Sequence, residues 1–325
     1  MSYKKIEEVS NDFWENQVNK ENKMLINDFL SQQHLSPKTL KQYTSALKIF
    51  AKWVHDNYGA DKEITSLKSR DGLRYQNWLI GLDLSASAIK FKRSSVSTLC
   101  NFIELYYSDE YPKFRNIFNK AIPNVANVKK KEKVPLTRSE VEKLVKELEK
   151  RKDWQKLAYL LYTFATGCRR EESRQLLKEV STYKKFVNKK GEEKDYYVTH
   201  EIRAKGKGKL GKVRRFQFDQ RAMDAINKWL EVRGEDDCPY LFTSKRNGER
   251  KQISENTFNL WCKTFSEILG KKVHPHLIRS TRATISVVED GKDIKSVQTL
   301  LGHESSQTTE IYVVRDTSND LDDLF

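Results

Sequence analysis

The sequence predicts a mainly α-helical protein with a small antiparallel β-sheet, an α+β fold arranged in two domains. Apolar residues recur at helical spacing through most of the chain, which is typical of amphipathic helices packed on a core. Only two strand-like stretches stand out, residues 196–204 and 213–218, and a Gly/Lys-rich turn separates them. A polar stretch bounded by prolines, residues 123–135, interrupts the helical pattern, and 325 residues suffice for a core on either side of it.

The first domain is predicted to be all-helical and to span residues 25–122, after a polar lead-in over residues 1–24 with some helix. Ser36 and Pro37 open a clear helix, because serine is a favoured N-cap and proline is favoured in the first helical turn. Apolar residues at helical spacing give this helix one buried face: Leu40, Tyr43, Leu47, Phe50 and Val54.

Two further helices of this domain are predicted over residues 70–82 and 85–107. The second of them carries three basic residues near its start: Lys90, Lys92 and Arg93. Such a cluster is typical either of a solvated helix face or of a surface that contacts the phosphates of DNA, and the pattern alone leaves both interpretations open.

Residues 123–136 are predicted to be a basic linker. Lys129, Lys130 and Lys131 lie between two prolines, in a stretch without helical or strand periodicity. A charge run in a linker is usually only solvated. The alternative is a strap that crosses a phosphate backbone, which is how a nucleic-acid-binding protein uses such a segment.

The second domain, residues 137–315, begins with a helix start signal. Thr137 and Glu140 have the spacing of a capping box, and Leu136 lies where a hydrophobic staple is expected. Further helices are predicted near residues 138–150, 154–166, 220–231, 254–269 and 275–289, followed by a shorter pair toward Tyr312.

Positive charge is concentrated around the two predicted strands. Residues 184–215 contain 12 basic and 4 acidic residues, a net +8 out of the chain's +15. Self-repulsion makes such a hairpin costly unless a polyanion lies beside it. The tail, residues 316–325, is acidic and ends in Leu-Phe, so it could dock on a neighbouring protomer or fray in solvent.

Composition excludes several classes of protein. With 60 basic and 45 acidic residues, a polyanion is the expected partner, most often nucleic acid, although Lys-rich proteins can be basic without binding DNA. No apolar stretch is long enough for a membrane span and no signal peptide opens the chain, so an intracellular soluble protein is expected. Four scattered cysteines predict neither disulfides nor a zinc site, and we expect no metal and no cofactor.

Three separated segments carry side chains suited to phosphodiester chemistry. Arg169 follows a Thr-Gly turn, and Arg279 lies three residues after His276, on the same helix face. His303 follows Leu-Gly, and Tyr312 comes nine residues later. Guanidinium groups bind phosphate oxygens bidentately and stay charged at any useful pH, and a tyrosine hydroxyl can attack phosphorus when a base takes its proton.

Each segment taken alone has a simpler interpretation. The Thr-Gly turn could be a helix C-cap, His276 could be a core histidine, and Tyr312 could be one of 14 tyrosines that pack an apolar face. The order and spacing of all three segments together favour a catalytic site.

These motifs closely resemble the tyrosine recombinase (phage integrase) family. That family shows T-G-x-R-x-x-E, a lysine on a β-hairpin, H-x-x-R, and L-G-H with a tyrosine nine residues later, and this chain contains them in that order. The resemblance covers roughly residues 25 to 315. It implies an N-terminal helical SAM-like core-binding domain and a mixed α/β tyrosine-recombinase catalytic domain.

The resemblance also implies roles for individual residues. Arg169 and Arg279 would clamp the scissile phosphate, and His303 would bind one of its oxygens. His276 would handle the proton of the nucleophile Tyr312. Glu172 would orient the site. Lys205 would protonate the leaving oxygen, with Lys207 as the second choice, and Lys207 and Lys209 would contact DNA.

The implied reaction leaves a 3′-phosphotyrosyl link and a free 5′-hydroxyl, and it needs no ATP because phosphodiester bond energy is conserved. The implied partners are double-stranded DNA with short inverted-repeat core sites, a homotetramer that forms a Holliday junction, and a directionality factor. A cytoplasmic, nucleoid-associated protein of a prokaryote or phage is expected. Integration or excision of a mobile element is the first interpretation and a Xer-type dimer resolvase the second; a type IB topoisomerase and a non-catalytic DNA-binding protein are the rivals.

One position departs from the family pattern. The family usually continues its second arginine with His-[ST]-[FC]-A-T, whereas this chain reads Ser280-Thr281-Arg282-Ala283-Thr284. The missing histidine is not catalytic in the family. Arg282 replaces an apolar residue, so it is expected to face DNA or a partner.

Overall fold

The computed structural model describes residues 6–118, 122–125, 134–204 and 212–302. The chain divides into two compact units, one with the described residues up to 125 and the other with those from 134 onward. Helices dominate the described residues, and three small antiparallel sheets lie in the second unit, which confirms the predicted fold class. Across these ranges, no helix combines the length and the apolar character that a membrane crossing requires.

The described residues of the first unit form five helices, and their starts follow the sequence signals. The Ser36 hydroxyl accepts the backbone N–H of Thr39 at 3.1 Å, and Ser85 caps its helix in the same way with Ala88 at 3.2 Å. A short 3-10 turn, Ile64–Ser66, lies between the third and fourth helices. The helices are α1 (Asn11–Asn16), α2 (Lys20–Leu30), α3 (Pro37–Tyr58), α4 (Ser69–Gly81) and α5 (Ala86–Tyr106).

The N-terminal segment belongs to the core of this unit. Trp14 of α1 and Val18 are buried in the same apolar cluster as residues of α3, α4 and α5. The predicted boundary at residue 25 lies inside α2, so the unit begins earlier than the sequence analysis places it. Polar neighbours of Trp14 and Val18 conceal these two buried apolar residues in the sequence, although burial of each contributes roughly 1.5–3 kcal/mol.

The second unit begins with the predicted capping box. The Thr137 hydroxyl accepts the Glu140 N–H at 3.2 Å, and the Glu140 carboxylate accepts the Thr137 N–H at 2.8 Å. The last helix of the 275–289 prediction continues as a π-helical turn, Ile285–Glu289. The α-helices are α6 (Arg138–Lys150), α7 (Trp154–Thr166), α8 (Arg170–Arg174), α9 (Gln220–Arg233), α10 (Glu255–Leu269), α11 (Pro275–Thr284) and α12 (Ile294–Leu301), and Lys178–Thr182 forms a 3-10 turn.

Each predicted strand is split into two short ones. Thr199 accepts the Phe216 N–H with its hydroxyl, at 2.9 Å, instead of with its carbonyl, so the ladder breaks at that point. β1 pairs with β4 and β2 pairs with β3, both antiparallel. These strands are β1 (Tyr197–Val198), β2 (Ile202–Ala204), β3 (Lys212–Arg214) and β4 (Gln217–Phe218).

A third hairpin, β5 (Thr243–Arg246) with β6 (Glu249–Gln252), is absent from the sequence analysis. Its turn is formed by Asn247 and Gly248, both with positive φ, 51° and 83°. An Asn-Gly pair is the strongest short-range hairpin signal, but the flanking residues are polar and charged and lack the alternation that normally marks strands.

Helix α7 lies at the centre of the second unit. It is buried along most of its length and packs against α6, α9 and α11. Tyr159 of α7 stacks on Phe258 of α10 with ring centroids 4.3 Å apart. Because α7 and α11 are both held in the core, the C-terminal end of α7 and the basic side chains of α11 have fixed positions relative to each other.

Candidate active site

The end of α7 makes a sharp turn that strongly favours glycine. Gly167 has φ +60°, and a Cβ there would lie 2.5 Å from Cδ2 of Leu301. The backbone therefore passes closely against the last residue of α12. The turn places Cys168 and Arg169 directly before α8, with Arg169 at the N-cap position.

Arg169 is held by the carboxylate one helical turn ahead. Its backbone N–H donates to Oε2 of Glu172 at 2.5 Å, and its Nη1 donates to Oε1 at 3.0 Å. Glu172 is buried, with a side chain 2% exposed, whereas the Arg169 side chain is 24% exposed. Glu172 therefore fixes one edge of a guanidinium that still reaches solvent.

Arg279 connects all three segments singled out in the sequence. Its side chain is fully buried in α11. Nη1 donates to the carbonyl of Gly167, and Nη2 donates to the carbonyl of Leu301 at 2.8 Å. The first, second and third motifs, far apart in the sequence, thus meet around one guanidinium.

A second arginine, which the sequence analysis missed, reaches the same carbonyl. Arg214 of β3 donates from Nη1 to the Leu301 carbonyl at 2.9 Å. Its guanidinium also lies 4.9 Å from the centre of the Phe216 ring. Burial lowers the pKa of Arg214, and the charge of Arg169 lowers it further. Nothing in the sequence distinguishes Arg214 from the other basic residues of its hairpin.

His276 lies one helical turn before Arg279 on α11. Its side chain reaches solvent, yet its pKa is lowered, first by desolvation of part of the ring and then by the charges of Arg170 and Arg279. The imidazole is consequently neutral at neutral pH and able to accept a proton. A positive potential that acts on a histidine in this way also favours a bound anion.

Cys168, beside Arg169, is not a candidate nucleophile. It is buried, and burial raises the pKa of its thiol to about 11. Its Sγ lies 3.0 Å from the Ser173 hydroxyl. The thiolate needed for attack is therefore scarce at neutral pH. In the ranges that the structure describes, no three His, Cys, Asp or Glu residues are grouped as metal ligands would be.

Two family models match the chain. The phage integrase family matches residues 135–319, more than half of the chain, and the N-terminal SAM-like domain of phage integrases matches residues 24–104. The chain belongs to the phage integrase family of tyrosine recombinases. It is a site-specific DNA recombinase.

Relatives of this recombinase match over most of their length. The SPbeta prophage-derived recombinase-like protein YomM of Bacillus subtilis (strain 168) is 32% identical over 327 residues, which cover 99% of this chain and 95% of that protein. The tyrosine recombinase XerA of Pyrococcus furiosus is 29% identical over 287 residues, 87% of this chain and 86% of that protein.

Solved structures show the same fold. The Tn1549 transposon integrase in complex with transposon right end DNA superposes with a TM-score of 0.67 at 16% identity, covering 93% of this chain and 97% of that one. A lambda integrase dimer bound to a core site gives 0.64 at 15% identity, covering 91% and 96%.

Several residues predicted for the site of this recombinase lie outside the described residues: Lys129, Lys130, Lys131, Lys205, Lys207, Lys209, His303 and Tyr312. Of the six predicted catalytic residues, the structure therefore places Arg169, His276 and Arg279. Arg169 follows Gly167 by two residues, and Arg279 donates to the Gly167 carbonyl.

The basic cluster of α5 is only partly available for DNA. The guanidinium of Arg93 donates to Oε1 of Gln76 at 2.8 Å and to the carbonyls of Pro123 and Ile122 at 3.0 and 3.2 Å. Arg93 therefore holds the segment that follows the last helix of the first unit, which is a structural role that the sequence does not reveal. Lys92 is half-buried, and burial lowers its pKa.

The Arg282 side chain, which was expected to face DNA or a partner, is partly buried. Its guanidinium lies 5.7 Å from the centre of the Phe164 ring, and burial lowers its pKa. The apolar surface of α7 explains why the family usually has an apolar residue here. Arg282 covers that surface with its methylene chain and places its charge over the ring.

Proposed function

We propose that this recombinase cleaves and rejoins DNA through a 3′-phosphotyrosyl intermediate at Tyr312, with Arg169 and Arg279 holding the scissile phosphate. The observation that carries this proposal is the meeting of the three motifs at the Gly167 turn. Arg279 joins Gly167 to Leu301, and the next residues after Leu301 lead to His303 and Tyr312.

The arginines are suited to the phosphate. The Nε and Nη2 groups of Arg169 make no hydrogen bond within the described residues, while Glu172 fixes the opposite edge of the guanidinium. Two guanidinium groups can stabilise the extra negative charge that develops on the nonbridging oxygens in the transition state. His303 adds a third donor to the same oxygens.

Proton transfer completes the step. The Tyr312 oxygen attacks phosphorus while its proton passes to His276, and the bond from phosphorus to the 5′-oxygen breaks. Lys205, or Lys207 as the second choice, gives its proton to that oxygen. A lowered pKa at His276 supports its role, since only the neutral imidazole accepts a proton.

DNA contacts are proposed beyond the site. The net charge of +15 supports a polyanion partner, and we assign phosphate contacts to Lys90, Lys92, Lys129, Lys130, Lys131, Lys207 and Lys209. Arg93 is assigned to the fold instead, because three of its acceptors lie within the first unit.

We further propose assembly as a homotetramer on short inverted-repeat core sites, with a Holliday-junction intermediate, since recombination of two duplexes needs four cleavages. The match to a prophage-derived protein over 99% of the chain supports integration or excision of a mobile element. We propose that this reaction takes place at the nucleoid and that a directionality factor aids it. The match to XerA supports resolution of chromosome or plasmid dimers as a second candidate. Excised circles detected by PCR across the gene's flanks would support the mobile-element role. A single inverted-repeat site on the chromosome as the substrate would support dimer resolution.

A suicide substrate tests the cleavage step. Flanking DNA with a nick next to the scissile phosphate loses the short 5′-hydroxyl fragment, so the covalent complex accumulates on a denaturing gel. We expect an adduct with wild type and with the control variant Tyr183→Phe, and none with Tyr312→Phe. An adduct with Tyr312→Phe would show that the nucleophile is another residue. Binding without adduct in wild type would favour a non-catalytic DNA-binding protein, and relaxation of supercoils by the monomer would favour a topoisomerase.

A further inference from the structure

Arg214 of β3 donates hydrogen bonds to the last three backbone carbonyls of α12. Arg214 donates from Nη2 to the carbonyls of Thr299 at 3.1 Å and Leu300 at 3.0 Å, besides the bond from Nη1 to Leu301 at 2.9 Å. These three hydrogen bonds are called the Arg214 contact below. The last carbonyls of a helix have no partner within the helix, so this guanidinium supplies donors to three of them and places a cation at the negative end of the helix dipole.

The residue that follows α12 is shaped by the same contact. Gly302 has φ +66°, and a Cβ at this position would lie 2.0 Å from Nη1 of Arg214. Any side chain at residue 302 would therefore both strain the backbone and displace the guanidinium. The glycine of the L-G-H motif is explained by the passage of Arg214 as well as by the turn.

The Arg214 contact and the phosphate-binding arginine share an acceptor. The Leu301 carbonyl accepts one N–H from Arg214, at 2.9 Å, and one from Arg279, at 2.8 Å, which uses both of its lone pairs. On the other side, Arg214 lies opposite Ile202 in the β2–β3 register. The contact thus joins three parts of the unit: the base of the basic hairpin, the end of α12 and the buried arginine of α11.

We propose that Arg214 is a positioning residue for DNA cleavage. It sets the place where the chain leaves α12 toward His303, and it holds that place fixed relative to Arg279 and to the base of the hairpin. This inference rests on the proposed function. Arg214 acts through the backbone carbonyls that its guanidinium binds and not through the phosphate, because its two Nη groups are directed to those three carbonyls.

The test compares Arg214→Lys and Arg214→Ala with Arg215→Ala. Arg215 is next in the chain, is 62% exposed and pairs with the exposed Glu201, so its removal costs the same charge without touching α12. Single-turnover cleavage of the suicide substrate at saturating protein separates chemistry from DNA affinity, and thermal unfolding identifies any variant that fails to fold. We expect about a 100-fold lower rate for both Arg214 variants, with little change in affinity, since a small misplacement of catalytic groups costs about that much.

The lysine variant separates position from charge. Lysine keeps the positive charge but cannot bind three carbonyls with one planar group, so a positioning role requires that Arg214→Lys stay impaired. Arg214→Lys with the wild-type rate would overturn the proposal. Wild type without any adduct would overturn the proposed function and this role together, whereas an active wild type with active Arg214 variants would overturn this role alone.

A double-mutant cycle with Gly302→Ala gives a second measurement. In wild type, the added methyl group strains the turn and displaces Arg214; in the Arg214→Ala background only the strain remains. We expect Gly302→Ala to slow cleavage less in that background than in wild type, so that the two effects do not multiply. Rate losses that multiply would contradict a shared contact.

Discussion

Two regions of the second unit bury an arginine, and they use its charge differently. Arg233 donates to both carboxylate oxygens of Asp236, at 2.6 and 2.5 Å, and to carbonyls of the following loop. The hydrogen bonds from Arg233, and then its charge, lower the pKa of Asp236 to about 2. Arg279 instead binds the carbonyls of Gly167 and Leu301, and the histidine next to it has a lowered pKa.

The contrast is between an arginine that pairs with a carboxylate and an arginine that binds backbone carbonyls, for which we propose a role in the chemistry. A carboxylate that faces a buried guanidinium neutralises it, and the pair then joins two parts of the chain. Around Arg279 the positive potential of Arg169, Arg170 and Arg279 acts on His276. Arg169 and Arg170 pair with Glu172 and Glu255, yet the arginines still lower the pKa of His276, and a potential of that sign also favours a bound anion.

The largest expected effect comes from exchanging Arg279. Arg279→Lys keeps a positive charge but cannot bind Gly167, Leu301 and a phosphate with one planar group, so we expect single-turnover cleavage to fall about 1,000-fold. Arg233→Lys is the control, because it alters a buried arginine of the same unit that does not reach the site. Equal cleavage rates for Arg279→Lys and wild type would mean that Arg279 and Arg233 do not differ in their importance for cleavage.

Next in size is the loss of the carboxylate in the first region. Asp236→Asn leaves Arg233 buried without its counter-ion, and we expect the free energy of unfolding to fall by about 3 kcal/mol, measured by denaturant unfolding. Cleavage by the folded protein should be unchanged. A slower cleavage rate at temperatures where the variant is fully folded would show that the regions are coupled.

The same pair predicts a dependence of stability on pH. The folded pKa of Asp236, about 2, lies below its ordinary value of 3.8, so the stabilising contribution is complete above pH 4 and is lost as pH falls toward 2. Asp236→Asn should lack this part of the acid dependence. An identical acid profile for both proteins would mean that the ion pair contributes nothing.

A smaller effect is expected from the carboxylate of the site itself. Glu172→Gln weakens the charge-assisted bonds that hold Arg169, and we expect a loss of about 2 kcal/mol in transition-state stabilisation, roughly a 30-fold lower single-turnover rate. Glu171→Gln is the matched control. Glu171 is next to Glu172 in α8, but its carboxylate binds Arg174. Similar losses for both variants would argue against a specific role for Glu172.

The smallest effect concerns the pH profile of cleavage. Because desolvation and nearby arginines lower the pKa of His276, the acid limb of the rate profile should lie below pH 6.5. Arg170→Ala removes one cation and should move that limb upward toward pH 6.5, without passing it. A shift of the acid limb to lower pH in Arg170→Ala would contradict the role of His276 as a proton acceptor whose pKa the arginines lower.

Much of this could be predicted from the sequence because helices and caps have local signatures. Thr137 and Glu140 are three residues apart and form the capping box that their spacing predicts. Arg169 and Glu172 likewise lie in one short motif and bond to each other three residues apart. Local spacing therefore predicts most of the helices and places Glu172 one helical turn from Arg169.

The contacts with backbone carbonyls could not be predicted. Arg214 and Leu301 are 87 residues apart, and Arg93 binds carbonyls 29 and 30 residues away. Every residue has a carbonyl, so such an acceptor leaves no trace in the sequence, whereas a carboxylate partner does. The buried part of the lead-in could not be predicted for a related reason: Trp14 belongs to an apolar cluster that includes residues of α3 to α5, far along the chain.

The central proposal is that the charge of Arg279 acts on the scissile phosphate during cleavage. A suicide substrate with a methylphosphonate at the scissile position tests it directly, because that group lacks the negative charge that the arginine would neutralise. We expect Arg279→Ala to lose about 1,000-fold in cleavage of the phosphate substrate and clearly less on the methylphosphonate, where only the loss of its contacts with the Gly167 and Leu301 carbonyls remains. Equal losses on the two substrates, with the protein folded, would show that Arg279 supports the structure as Arg233 does, and would contradict the account.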